Sequence, residues 1–203
     1  MTEVFELQYA LDTFYFLVSG AFVMWMAAGF AMLEAGLVRA KNTTEILTKN
    51  VALFAIACFM YLACGYAIMY PEAGSAFLAG ITGNGVEGDW TYAPSADFFF
   101  QVVFVATAMS IVSGAVAERM KLWAFLAFAV VMTGFIYPME GRWTWGGESV
   151  FGMYSLSMVD FAGSGIVHMA GAAAALAGVL LLGARKGKYG KNGEINEIGR
   201  AHV

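Results

Sequence analysis

The sequence predicts an all-α polytopic membrane protein with five transmembrane helices, and three observations lead to this prediction. Of the 203 residues, 60% are hydrophobic and 13% are charged, whereas about a quarter of the residues of a soluble domain are charged. Apolar runs of about 20 residues recur, which is the length that crosses a bilayer as a helix. Charged and turn-forming residues separate the runs. We expect the spans at about residues 12–37, 51–70, 98–117, 122–139 and 161–183.

The placement of basic residues predicts the orientation of these spans. The connections after the first, third and fifth spans hold most of the 11 Lys and Arg residues: Arg39, Lys41, Lys49, Arg119, Lys121, Arg185, Lys186, Lys188 and Lys191. On the other side only Arg142 lies in a connection. Short basic connections remain preferentially in the cytoplasm. We therefore expect the N-terminus outside the cell membrane and residue 184 onward in the cytoplasm.

The fifth span contains the most informative polar residues. His168 is its only ionisable residue, and such a group at membrane depth indicates a functional site. Asp160 stands where the N-cap of this helix is expected. On a continuous helix, His168 would lie about 12 Å below Asp160, held as a neutral ring in a bundle that small residues pack closely. The alternative is a capping aspartate and a histidine that only bonds to a neighbouring helix.

Three aromatic residues suggest a cation path near the outer surface. Phe100 and Phe104 are one helical turn apart and share a face, and Trp145 precedes the fifth span. Their faces would hold a small cation while it loses water, and Asp160 would supply negative potential. Deeper down, His168 would contact a neutral molecule or pass a proton. The alternative is that these aromatic residues are membrane anchors.

Other signatures of function are absent from the sequence. It contains no phosphate-binding loop, no metal-ligand spacing and no Gly-x-Ser-x-Gly motif, so we expect neither an enzyme nor a cofactor. Cys58 and Cys64 lie in one apolar run, where free thiols pack as small apolar groups. Basic clusters with interleaved aromatic residues are also lacking, which argues against a nucleic-acid partner.

Four strings in the sequence resemble the ammonium transporter (Amt/Rh) family. They are GFAMLEAGLVRAKN (29–42), GAVAER (114–119), WGG (145–147) and DFAGSGIVHMAGAAAAL (160–176). Together they extend from the first span to the fifth. The resemblance implies a homotrimer of eleven-span subunits, each with its own pore, in which spans one to five and six to ten form an inverted repeat.

The resemblance also implies a role for each candidate residue. Trp145 would belong to the outer ammonium-recruitment site, and Phe104 and Phe100 to the aromatic gate. Asp160 would orient the outer site without direct contact, and His168 would be the first of two pore histidines. Ammonium would be recruited outside, deprotonated and carried as ammonia with a separately relayed proton. A regulator of the PII type at the cytoplasmic face is a further partner that the resemblance implies.

The sequence departs from the family pattern because it stops after the fifth span. Residues 1–196 are expected to form a truncated transporter-like domain, and residues 197–203 resemble a translated sequencing adapter, which suggests a non-native tail. We therefore expect a gene fragment, the alternative being a half-length protein. Transport of ammonium or ammonia is the leading function. The alternative is the membrane module of an ammonium sensor fused to a signalling domain.

Overall fold

A computed structural model of the chain describes residues 2–71, 91–145 and 160–199. These residues form five long helices, and within the described ranges the only β pairing is an isolated bridge between Tyr189 and Ile195. Two of the helices, α2 and α4, each include an internal π turn. The helices are α1 (Thr2–Leu37), α2 (Thr43–Met60, Tyr61–Gly65 and Tyr66–Met69), α3 (Pro94–Val116), α4 (Leu122–Val131, Met132–Ile136 and Tyr137–Trp145) and α5 (Ile166–Leu182).

Helix α3 occupies the centre of the bundle and packs against α1, α2 and α5. Its contact with α5 depends on small residues. A Cβ atom on Gly171 would lie 2.7 Å from Ile111 Cβ and 2.8 Å from the Ala108 carbonyl oxygen. Only glycine therefore allows the two backbones to approach this closely. This matches the close packing that the small residues of the fifth span predict.

The π turns of α2 and α4 pack against each other. Gly134 in the α4 turn lies against Met60 and Cys64, while Gly65 in the α2 turn lies against Pro138 and the Thr133 carbonyl. A π turn adds one residue to a helical turn and changes the direction of the side chains that follow. The paired turns therefore determine where the C-terminal ends of α2 and α4 point.

The fold class predicted from hydropathy is confirmed. Within the described residues, four helical segments are long and apolar enough to cross a membrane, at Glu3–Leu37, Ala40–Met69, Pro94–Val116 and Leu122–Trp145. The fifth, Ile166–Leu182, is a shorter apolar helix of 17 residues. At 1.5 Å per residue it is about 25 Å long, near the lower limit for a membrane span.

Several helix ends differ from those of the expected spans. Helix α1 begins at Thr2 rather than near residue 12, and α2 begins at Thr43 rather than near residue 51. The expected end of the fourth helix is near Pro138, but the helix continues to Trp145. Pro138 lacks an amide hydrogen and would normally interrupt a helix. Here a wider π turn lies just before it, and the helix continues beyond it. The fifth was expected from residue 161 but begins at Ile166. Gly163 adopts a φ of 72°, a left-handed conformation that a helix does not accommodate.

Some expectations fall outside the described residues. These are residues 72–90 between the second and third spans, Gly146 and Gly147 of the WGG string, and residues 200–203 of the suspected tail.

Candidate functional site

A cavity of ≈150 Å³ lies between α3 and the C-terminal ends of α2 and α4. The segment that precedes α5 closes one side of it. The structure thus brings together three of the predicted site residues, Phe100, Phe104 and Trp145, although they come from two helices. The full lining is Tyr70, Phe100, Gln101, Phe104, Tyr137, Trp145, Phe161 and Ala162.

Phenylalanine rings form a contiguous wall of this cavity. The centroids of the Phe100 and Phe104 rings are 5.0 Å apart with an edge-to-face angle of 77°. Phe16 of α1 meets Phe100 at the same separation and 89°. Edge-to-face pairs are the favoured aromatic geometry, so the rings support each other and hold their positions. Their negative faces can stabilise a cation that has lost part of its water shell.

Asp160 connects the cavity wall to the start of α5. Its carboxylate oxygen Oδ2 accepts a hydrogen bond of 2.7 Å from the amide of Ile166, and its backbone carbonyl accepts one of 2.8 Å from Trp145 Nε1. Asp160 was expected at the N-cap position, but the residue there is Gly165. The carboxylate nevertheless satisfies the first helical amide, because the turn over residues 161–165 brings it back to the helix end. One residue thus orients both Trp145 and α5.

His168 occupies a different position from the one expected. It is the third residue of α5 rather than two turns below the helix start, because residues 161–165 are not helical. Its side chain is exposed on the surface of the described helices, whereas the neighbouring Val167 is buried. His168 is also absent from the lining of the cavity. The small residues of the fifth span predict a crowded bundle around His168, but the described helices leave its side chain exposed.

A buried ion pair between α1 and α2, with a hydrogen bond from α3, joins three helices at the opposite end of the bundle. Lys49 Nζ lies 3.6 Å from Glu34 Oε2, and the two residues are 5% and 3% exposed. Ser113 Oγ donates to the same carboxylate oxygen at 2.7 Å, and Asn50 donates at 3.3 Å. From the sequence alone, Lys49 belongs to the basic connection after the first span. Its burial depends on the acid of another helix, which hydropathy alone does not reveal.

Glu118 links three chain segments at this same end. It accepts hydrogen bonds from the Arg39 amide at 2.9 Å and from Asn42 Nδ2 at 2.6 Å, and Arg185 Nη1 lies 3.3 Å away. Burial acts to raise the pKa of Glu118, but these hydrogen bonds and the charges of Arg39 and Arg185 outweigh it and hold the pKa below its ordinary value. The connections after α1, α3 and α5 therefore meet around one acid.

Five lining residues are not among the predicted site residues, and Gln101 is the one of them with a side-chain amide. It lies beside Phe100 on α3 and one turn after Asp97, to which its side-chain nitrogen donates a hydrogen bond. Two polar residues four positions apart in an apolar span were the available signal. Within the ranges that the structure describes, no group of three His, Cys, Asp or Glu residues has the arrangement of a metal site.

Comparison with known proteins gives consistent results. A sequence model of the Ammonium Transporter Family matches residues 14–200. A putative ammonium transporter of Synechocystis is 42% identical over 206 residues, covering 98% of this chain and 45% of that protein. Ammonium transporter Amt2 of Archaeoglobus fulgidus is 43% identical over 197 residues, covering 93% of this chain and 42% of that protein.

A solved structure titled Sensor Amt Protein superimposes with a TM-score of 0.83 at 28% identity, covering 96% of this chain and 49% of that one. The chain thus spans less than half of the length of each of these relatives.

Proposed function

This chain belongs to the ammonium transporter family, and on that premise we propose that the protein containing it conducts ammonium or ammonia across a cell membrane. The observation that carries the proposal is the cavity in which Trp145 and the paired rings of Phe100 and Phe104 meet. An aromatic enclosure favours a weakly hydrated cation over a strongly hydrated one. The family relation supports ammonium as that cation.

The candidate residues have distinct proposed roles. Trp145, Phe104 and Phe100 contact the cation at the outer site. Asp160 positions Trp145 through its carbonyl and adds negative potential without lining the cavity. His168, exposed on the surface of the described helices, is proposed as the pore histidine, which would face the remaining spans of a full-length subunit. There it would hydrogen-bond the passing molecule or relay its proton.

Flux measurements on the complete protein test this proposal. Purified protein in proteoliposomes should give an ammonium-dependent current or internal pH change. Asp160→Ala should abolish it, because the variant loses both the hydrogen bond to the first amide of α5 and the negative potential of the carboxylate. The cap alone contributes about 1 kcal/mol to stability. His168→Ala should reduce ammonium-over-potassium selectivity. Glu6→Gln, at an exposed acid of α1, is the control. Normal flux through Asp160→Ala would contradict the role of the acid.

Orientation and assembly are extensions of the proposal. We propose that the N-terminus lies outside and that residues from 184 onward lie in the cytoplasm. Support comes from the basic residues in the connections after α1, α3 and α5, which meet at one end of the bundle. A homotrimer and a PII-type regulator at the cytoplasmic face are proposed from family membership alone.

A second candidate function is ammonium sensing by a membrane module attached to a signalling domain. The likeness to the structure titled Sensor Amt Protein favours it. Transport predicts sustained flux with ammonium bound, whereas sensing predicts binding without flux. Flux and calorimetric binding measured on the same complete protein distinguish the two functions.

A further inference from the structure

A buried acid, Asp97, lies in the first turn of α3 and is not explained by the roles described above. It is 8% exposed. Its oxygen Oδ2 accepts a hydrogen bond of 2.9 Å from the Tyr66 hydroxyl, and Oδ1 accepts one of 3.3 Å from Gln101 Nε2. None of the ion pairs in the described ranges includes Asp97. Both of its partners are donors, which is the environment that a carboxylate requires.

The hydrogen bond from Gln101 to Asp97 determines how the Gln101 amide is oriented. An ionised carboxylate can only accept hydrogen bonds, so the amide must turn its nitrogen toward Asp97. The oxygen Oε1 then points away from the acid, and it has no partner among the residues that the structure describes. Since Gln101 lines the aromatic cavity, this leaves one amide oxygen available in a mainly aromatic enclosure.

From this geometry we propose that Gln101 Oε1 is an acceptor for the N–H groups of the bound cation, and that Asp97 is the positioning residue that presents it. The inference rests on the proposed function, because it concerns the cation of the same site. Asp97 also adds a second negative charge to that of Asp160. The first turn of α3 suits this charge, since the positive end of a helix dipole stabilises a carboxylate.

This arrangement offers a physical basis for selectivity. Aromatic faces attract ammonium and potassium alike, because both are small monovalent cations. Ammonium, however, carries N–H donors that form a directed hydrogen bond to an amide oxygen, whereas potassium requires several oxygen ligands at once. A single well-oriented acceptor therefore favours the N–H cation. If the Gln101 amide could turn freely, it would present its NH2 donor to the cation about as often as its oxygen. The preference for ammonium over potassium would then be lost.

Binding and flux on the complete protein test the inference. Gln101→Met keeps the size of the side chain and removes the acceptor, so the Kd for ammonium chloride should rise about tenfold, as expected for a bond to a charged donor. Asp97→Asn removes the charge and allows the Gln101 amide to turn, which should raise the Kd less but in the same direction. Thr107→Val is the matched control, because Thr107 is a buried polar residue of α3 whose hydroxyl donates to the Val103 carbonyl of the same helix.

The readout that separates positioning from simple structural support is ammonium-over-potassium selectivity. Both Gln101→Met and Asp97→Asn should lower it when the measurement is made well below the Tm of each variant, and Thr107→Val should not. If the unmodified protein transports and the two variants retain its Kd and selectivity, this inference fails and the proposed function stands. If the unmodified protein binds ammonium without flux, transport fails and the Kd values of the variants still test the inference. If it neither binds nor transports, both fail.

Discussion

At the scale of single residues, buried charges in this bundle are neutralised or hydrogen-bonded by other helices or connections. Glu34 pairs with Lys49 across two helices, and Glu118 receives donors from two other connections. Glu118 also adopts a φ of 61°, a left-handed conformation that costs a residue with a side chain about 1–2 kcal/mol. The interactions of its carboxylate offset this cost. Removing a single acid should therefore affect three connections at once.

The stability contributed by Glu118 should depend on pH. Its folded pKa lies below the ordinary value of 4.5, so its contribution is fully present above that value and is lost as the pH falls through the folded pKa. Glu118→Gln should lower the Tm of the complete protein at pH 7. As the pH falls from 5 to the lowest value at which the protein stays folded, the Tm of this variant should decrease less than that of the unmodified protein. A thermal-unfolding series across that range measures both effects.

Glu45→Gln is the control for this series, because Glu45 is exposed in the same region. If the Tm of Glu118→Gln fell with decreasing pH as steeply as that of the unmodified protein, the pH dependence of stability could not be assigned to Glu118.

At the scale of helices, close backbone contacts determine the packing of α5 on α3. Gly171 faces the Ala108 carbonyl and the side chain of Ile111, and the backbone carbonyl cannot move aside as a flexible side chain would. Gly29 of α1, in contrast, has nothing within 4 Å of the position of a Cβ atom. Gly171 and Gly29 therefore allow a direct comparison between a packed helical glycine and an unpacked one.

Alanine substitutions at these glycines should have opposite effects on stability. Gly171→Ala should destabilise the complete protein by about 1–3 kcal/mol, because the added methyl group overpacks the contact. Gly29→Ala should be neutral or stabilising by up to about 1 kcal/mol, because alanine favours the helix. Thermal unfolding in detergent or nanodiscs compares the two. Equal Tm values would show that the α3–α5 contact tolerates a methyl group.

At the scale of the whole molecule, the connections after α1, α3 and α5 meet at one end of the bundle, since Arg39, Glu118 and Arg185 are in contact. The cavity lies toward the other end, where α2 and α4 finish and α5 begins. Large apolar side chains such as Trp25, Trp123 and Leu180 are exposed on the outer helix surfaces, as lipid contact requires. Most of the basic residues therefore lie at the end opposite the cavity.

Cysteine labelling should show that the two ends of the bundle lie on opposite sides of the membrane. With Cys58 and Cys64 replaced by alanine, a cysteine at the exposed Lys186 should react with a membrane-impermeant reagent only from the cytoplasmic side. A cysteine at the exposed Thr91, which precedes α3, should react only from outside. Labelling of both positions from the same side would refute the proposed orientation.

The sequence by itself determined the helical membrane class, the number of apolar helices and the family, because hydropathy and short motifs are local properties of the chain. It also indicated that Phe100 and Phe104 share a face, since the helical period sets this. Only the tertiary structure decided that α5 begins at Ile166, that Lys49 is buried and that Gln101 lines the cavity. These features depend on which atoms of other segments approach a residue, and helix packing, rather than the order of residues along the chain, sets those distances.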